Sequence, residues 1–176
     1  LGGSEPAPSF GGCPGSMARR LNAAAAPAGE AGVASGGPSP GRESAADGES
    51  ALGHWPVQLA LVPETGPIWD GAEVLVAADC VAFAMGDFHR RLLGGRSVAI
   101  GCPKLDETGA YTAKLARIFA GNDVAGVTVA RMEVPCCGFD RIVRDALAEA
   151  GKAVPLNVVT VSVNGKVLEI NGVKVA

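Results

Sequence analysis

The chain has 176 residues, 48% of them apolar but only 5% aromatic, and a formal net charge of −3. That length suffices for one domain with a real core, and the composition means that Val, Ile, Leu and Ala must build it. The charge excludes a general electrostatic drive toward nucleic acid or anionic membrane, and no apolar run approaches the roughly 18 residues of a membrane span.

Residues 1–51 read as a linker. Gly, Ala, Ser and Pro fill 35 of the first 50 positions, which leaves too little apolar surface to offset the entropy of ordering. A disordered tail is expected here. Inside it, "FGGCPGSMARRL" (Phe10 to Leu21) carries a cysteine, an aromatic and two arginines, and reads as a short docking element or a helix start at Ser16. No charged segment followed by an apolar one opens the chain, so no signal peptide and a cytoplasmic location are expected.

Residues 52–176 read as one α/β domain. "VQLALV" (57–62), "EVLVAA" (73–78), "SVAIG" (97–101), "GVTVARMEV" (126–134) and "LNVVTVSV" (156–163) are rich in β-branched residues and apolar on both faces, as buried parallel strands are. Three helical stretches lie between the later ones. "CVAFAMGDFHRRLLGG" ends at Gly94-Gly95, "DETGAYTAKLARIFAGND" stops at Gly121, and "GFDRIVRDALAEAG" spaces Phe139, Ile142, Val143, Ala146 and Leu147 along one face before Gly151. Strand–helix alternation of this kind predicts a parallel, flavodoxin- or Rossmann-like three-layer sheet of about five strands. Asn164-Gly165 predicts a type I′ turn and a C-terminal β-hairpin. Trp55 is expected to anchor the core.

Five cysteines are present, Cys13, Cys80, Cys102, Cys136 and Cys137. The odd number, without a secretory signal, argues for reduced thiols rather than a disulfide framework. Cys80 follows the strand at 73–78, Cys102 the strand at 97–101, and Cys136 and Cys137 the strand at 126–134. The carboxyl ends of parallel strands share one edge, where ligand sites form, so four thiols converge by topology. The positive end of the helix that follows Cys137 favours thiolate there. Convergent cysteines suit a soft metal: a 4Fe-4S cluster is the leading reading, with zinc, whose CxxC knuckles are missing, and thiol redox work level with each other at the bottom. Small core thiols without a metal are the second reading, ahead of those two.

Several stretches carry a resemblance: "HWPVQLALVP", "LVAADCVAFAMGDFH", "AIGCPKLD", "VARMEVPCCG" and "VPLNVVTVSVNG". In that order they resemble the C-terminal region of a family of prokaryotic ferredoxin-like 4Fe-4S iron–sulfur proteins. In that family a two-cluster ferredoxin module precedes a linker and an α/β domain. "GCPG" at Gly12–Gly15 is similar to a motif opening the family's linker, whereas "CCGF" departs from the "CCGG" expected. No CxxCxxC occurs, so the ferredoxin module is absent from this chain. The resemblance implies an electron-transfer or accessory domain, rather than a stand-alone enzyme, with Cys80, Cys102, Cys136 and Cys137 as cluster ligands. Its partner would be a redox protein or the missing ferredoxin module, with no nucleic acid or membrane partner. Cys13 is a possible further ligand, expected to be dispensable because it lies about 40 residues ahead of the domain. The alternatives are a thiol-based redox enzyme or reductase subunit using Cys136 and Cys137, and a metal-free interaction domain. No Ser/His/Asp set suggests a catalytic triad. Asp79 reads as a helix N-cap, His89 as a surface or capping residue, and Arg131 with Glu133 as an ordinary ion pair.

Overall fold

In the computed structural model, which describes residues 17–21, 49–171 and 173–174, the first two elements among these residues are short strands. These are β1 (Arg19–Arg20) and β2 (His54–Trp55), paired antiparallel with Arg19 opposite Trp55 and Arg20 opposite His54. The island that the sequence singles out is therefore a docked strand, at least over its last residues, and its Leu21 N–H donates to the Gly53 carbonyl at 2.9 Å.

The apolar runs then form the sheet. β3 (Glu73–Ala78), β4 (Ser97–Gly101), β5 (Gly126–Met132) and β6 (Leu156–Val161) are parallel, and β7 (Val167–Ile170) and β8 (Val173–Lys174) extend it antiparallel, in the order β4-β3-β5-β6-β7-β8. Helices α1 (Asp79–Ala84), α2 (Thr108–Gly121) and α3 (Phe139–Ala150) join the parallel strands, with a π-helical turn at His89–Leu93 after α1. The connection from β3 to β4 runs one way along the sheet and that from β4 to β5 the other. Right-handed crossovers then put α1 and α2 on opposite faces, and α2 and α3 pack together on one. The expected three-layer α/β fold with a C-terminal hairpin is present.

Packing explains the strength of the pattern. Along β3 and β5 nearly every residue is buried, because helices cover both faces. α3 buries Phe139, Ile142, Val143, Ala146 and Leu147, the stripe read from the sequence, and closes at Gly151 in a left-handed C-cap. Fully burying side chains of the size of Phe119 or Phe139 contributes about 1.5–3 kcal/mol each.

Four local expectations need correction. Residues 57–62 are not a strand: Gln58 makes one parallel bridge to Ile100 and the chain then turns, with the Leu61 and Val62 N–H groups on the Gln58 carbonyl. The helix after Cys80 is broken at Met85, where Gly86 and the following turn intervene. The core tryptophan is Trp69, fully buried with its Nε1 donating to Pro63 O at 2.8 Å, while Trp55 is 36% exposed. The β6–β7 connection is not type I′, since of its residues Gly165 alone has positive φ. Its Gly165 N–H donates to Ser162 O, and Ser162 N–H to Lys166 O, the pattern of a three-residue loop whose left-handed third residue is glycine. The two-residue hairpin comes later, where Ile170 pairs Val173 across Asn171 (φ 51°).

Candidate functional site

Register brings the strand ends level. Ala78 lies opposite Gly101 and Ala77 opposite Ala130, so β3, β4 and β5 release their chains at one edge. Cys80 leaves it in the first turn of α1 and is exposed; Cys102 directly follows β4 and is half-buried; Cys136 follows β5 and is exposed. Three thiols from three neighbouring strands thus stand at the carboxyl edge, as topology requires.

The fourth does not join them. Val134-Pro135-Cys136-Cys137 is a β-turn closed by the Cys137 N–H on the Val134 carbonyl at 3.1 Å. Proline suits the second position of such a turn, and the third stands at its outer corner. Cys136 occupies that corner. The chain then reverses, and Cys137 points into the core, 6% exposed, between β5 and the start of α3. Its Sγ accepts the Met132 N–H at 3.4 Å. Burial pushes its thiol above the ordinary range, and the Met132 and Phe139 amides only partly offset this. The sequence expectation that the helix end would favour thiolate is therefore reversed at Cys137: desolvation outweighs the amide donors. The signal for this split was Pro135, which marks the turn.

A polar cluster supports Cys102. Its backbone N–H donates to Asp106 Oδ2 at 3.1 Å, and the Tyr111 hydroxyl donates to the same oxygen. These two donors hold the Asp106 carboxyl below its ordinary range. Burial, with the Asp106 charge, pushes the Tyr111 hydroxyl up. Asp79, beside Cys80, caps nothing: the N-cap residue is Ala78, with no side-chain cap. Its Oδ1 is buried with no hydrogen-bond partner among the described residues. Burial, and then the Asp106 charge, raise its carboxyl above the usual range.

Other candidates settle into structural roles. His89 Nδ1 accepts the Ala51 N–H at 3.1 Å. Arg131 pairs with Asp140 at 3.1 Å rather than with Glu133, whose Oε1 instead accepts the Val163 N–H at 2.9 Å. His54, to which the sequence pattern assigns no role, is buried: Nε2 accepts the Val98 N–H at 3.0 Å, and the ring packs edge-on to Trp69. Cys13 lies outside the described residues.

Residues 66–176 match the model of a family described as a Rossmann-like domain. An uncharacterized protein of Archaeoglobus fulgidus is 34% identical over 114 residues, which span 64% of this chain and 80% of that relative. No solved structure matches. These findings correct the resemblance to ferredoxin-like 4Fe-4S proteins, because neither the matching family nor the relative is described as one. The iron–sulfur, ferredoxin, electron-transport and metal-binding designations fall with it. Among the described residues no group of three or more His, Cys, Asp or Glu side chains is placed to hold a metal ion, and the tandem pair is divided, with Cys136 exposed and Cys137 turned inward. No helix among the described residues is long and apolar enough to cross a membrane.

Proposed function

We infer that this chain, which belongs to the Rossmann-like domain family, is a thiol-based redox domain whose working groups are Cys80, Cys102 and Cys136. The observation that supports this reading is the delivery of three accessible or half-accessible thiols by three adjacent strand ends, while Cys137 is withdrawn into the core. Thiol–disulfide exchange proceeds by attack of a thiolate on a disulfide sulfur through a mixed disulfide. It needs an exposed attacking thiol, which the turn corner at Cys136 supplies, and a second thiol near enough to resolve the intermediate. Phe83, Leu105 and Val163 are exposed on the segments that leave the same edge, a surface suited to a redox partner protein. Thiols that must return to the reduced state suit a reducing compartment, so the proposal includes a cytoplasmic location.

The test is a thiol census on anaerobically purified protein, followed by challenge with a small disulfide. Cys80, Cys102 and Cys136 should be modified in the folded state, and Cys137 only after unfolding. Disulfide or mixed disulfide should form at the edge and be reversed by dithiothreitol. Stoichiometric iron and sulfide in the purified protein, or edge thiols inert to the disulfide, would overturn the reading.

A further inference from the structure

The crossover from β3 to β4 begins by moving away from β4. α1 leaves the end of β3 and packs against β5, the neighbour on the other side. Its far end lies against the β6–β7 loop, where a Cβ on Gly165 would collide with the Ala84 carbonyl oxygen. α1 therefore crosses the carboxyl edge from β3, past the end of β5, to the loop after β6. Its six residues, at about 1.5 Å each, span about 9 Å, which matches two strand spacings of about 4.8 Å. Cys80, the second residue of this helix, is exposed, and the lean of the helix carries it toward β5.

Cys136 comes back to meet it. The pairing of Ala77 with Ala130 makes Asp79 level with Met132, and Cys80 is one residue further on. Four extended residues beyond Met132 would put Cys136 about 13 Å past that level. The turn prevents this. The Cys137 sulfur lies 3.4 Å from the Met132 amide nitrogen, so the chain has folded back on the end of β5, and Cys136, the residue before, stays near it. The two exposed thiols thus flank the junction where adjacent strands send α1 and α3 to opposite faces, the place where parallel sheets open a crevice. Cys102 is worse placed for either. β4 lies beyond β3, two strand spacings or about 9.6 Å from β5, whereas a disulfide needs Cα atoms about 4.4–6.8 Å apart. The lean of α1 also takes Cys80 away from β4, and Cys102 is half-buried with its N–H held by Asp106 Oδ2.

We propose that Cys136 and Cys80 are the exchanging pair, Cys136 attacking and Cys80 resolving, and that they close into a reversible disulfide across the junction of β3 and β5. The proposal rests on the thiol-based reading above and names the pair within it. The chemistry balances with a disulfide of the oxidised-glutathione class as oxidant. The Cys136 thiolate attacks one sulfur of the oxidant; a new S–S bond forms, the old one breaks, and one thiol leaves with the proton given up by Cys136. The Cys80 thiolate then attacks the Cys136 sulfur of the mixed disulfide. The Cys80–Cys136 bond forms, and the second thiol leaves with the proton given up by Cys80. Two protein thiols are oxidised, and one disulfide is reduced to two thiols.

The experiment uses the full 176-residue chain, reduced, freed of reductant under argon and challenged with oxidised glutathione at a protein concentration low enough to suppress bonds between molecules. Free thiols are blocked with N-ethylmaleimide at timed intervals, and disulfides are mapped by peptide mass spectrometry. Wild type should pass through glutathione on Cys136 and give Cys80–Cys136 as its main intramolecular bond. Cys80→Ser, its fold checked by circular dichroism, should hold glutathione on Cys136. Any bond from Cys136 to Cys102 in that variant should form at least about tenfold more slowly than wild-type closure, because Cys102 lacks the local concentration that adjacency gives Cys80. A different main bond in wild type would overturn the pair and leave the thiol reading standing. So would glutathione that stays on Cys136 of wild type without closure, or closure through Cys102 in folded Cys80→Ser at the wild-type rate. Failure of Cys80, Cys102 and Cys136 to react at all would sink the thiol reading and this inference together.

Discussion

Cys137 Sγ accepts the Met132 amide N–H at 3.4 Å, while its sequence neighbour Cys136 stands exposed at the corner of the turn between β5 and α3. Two adjacent thiols thus have opposite work. One closes the junction between a buried strand and the first turn of the helix that follows it, and the other faces outward. The division follows from backbone geometry: a four-residue turn with proline second sends its third and fourth residues in different directions.

Substitution separates the two roles. Cys137→Ala removes a sulfur from a packed core and leaves the Met132 N–H without its acceptor, so unfolding free energy should fall by about 1–3 kcal/mol. Cys136→Ala should change it by no more than about 0.5 kcal/mol. Urea unfolding followed by circular dichroism makes the comparison, and equal effects would show that the inward turn of Cys137 is wrong.

Gly165 offers a second test. Its φ is +83°, and a Cβ there would collide with the Ala84 carbonyl oxygen at the end of α1. Gly165→Ala therefore meets both left-handed strain and a backbone clash that no rotamer relieves. A loss of about 2–4 kcal/mol is expected, with the β6–β7 hairpin lifted off α1. Faster amide exchange across Val159–Ile170 than in wild type would mark the site of the damage. A variant as stable as wild type would mean that the turn does not sit on α1.

The layered sheet was legible because β3, β4, β5 and β6 are covered on both faces, which writes long apolar β-branched runs into the sequence. The strand ends, and with them the edge that gathers Cys80, Cys102 and Cys136, followed from those runs. What was not legible depends on contacts distant in sequence. "VQLALV" has the composition of a strand but bends away after one bridge to Ile100. Trp55 and Trp69 cannot be ranked from composition, and it is the Pro63 carbonyl and the His54 ring that favour Trp69. The pairing of Arg19 and Arg20 with residues 36 and 34 positions later has no local periodicity to announce it. The thiol pattern was over-read in one respect: convergence of strand ends fixes where four cysteines lie, not which way each sulfur points.

Asp79 should be more harmful ionised than neutral. Its carboxyl is raised above the ordinary 3.8 by burial and by the Asp106 charge, so the folded state holds this proton to higher pH than the unfolded chain does. The stability it permits is fully present below 3.8 and is lost as pH rises through the folded value. Asp79→Asn should then stabilise the protein at pH 7, by up to about 1 kcal/mol once partial solvent screening is allowed for, and the advantage should vanish toward pH 4. Urea midpoints of both proteins at the two pH values decide the matter. An advantage independent of pH would point to something other than charge.

His54 should impose the opposite slope. Nε2 accepts the Val98 N–H at 3.0 Å and Nδ1 faces the Pro56 carbonyl at 3.1 Å, so the ring is neutral with its proton on Nδ1. Burial pushes its pKa below the ordinary 6.5; the Pro56 carbonyl opposes that shift, and the nearby Arg20 charge adds to it. Below 6.5 the unfolded chain takes up a proton that the folded protein refuses. Stability contributed by the neutral ring is therefore complete above pH 6.5 and is lost as pH falls from 6.5 through the depressed folded value, at a slope of at most about 1.4 kcal/mol per pH unit. Below that value both states are protonated and the slope ends. In His54→Gln an amide oxygen can still accept from Val98 and nothing titrates, so the variant should be less stable than wild type at pH 8 yet lose less on acidification toward pH 5. His89 is common to both proteins and cancels in the comparison. Urea unfolding at half-unit steps from pH 8 to pH 5 gives the two curves, and parallel curves would show that His54 titrates alike in the folded and unfolded chain, which a buried acceptor for Val98 cannot do.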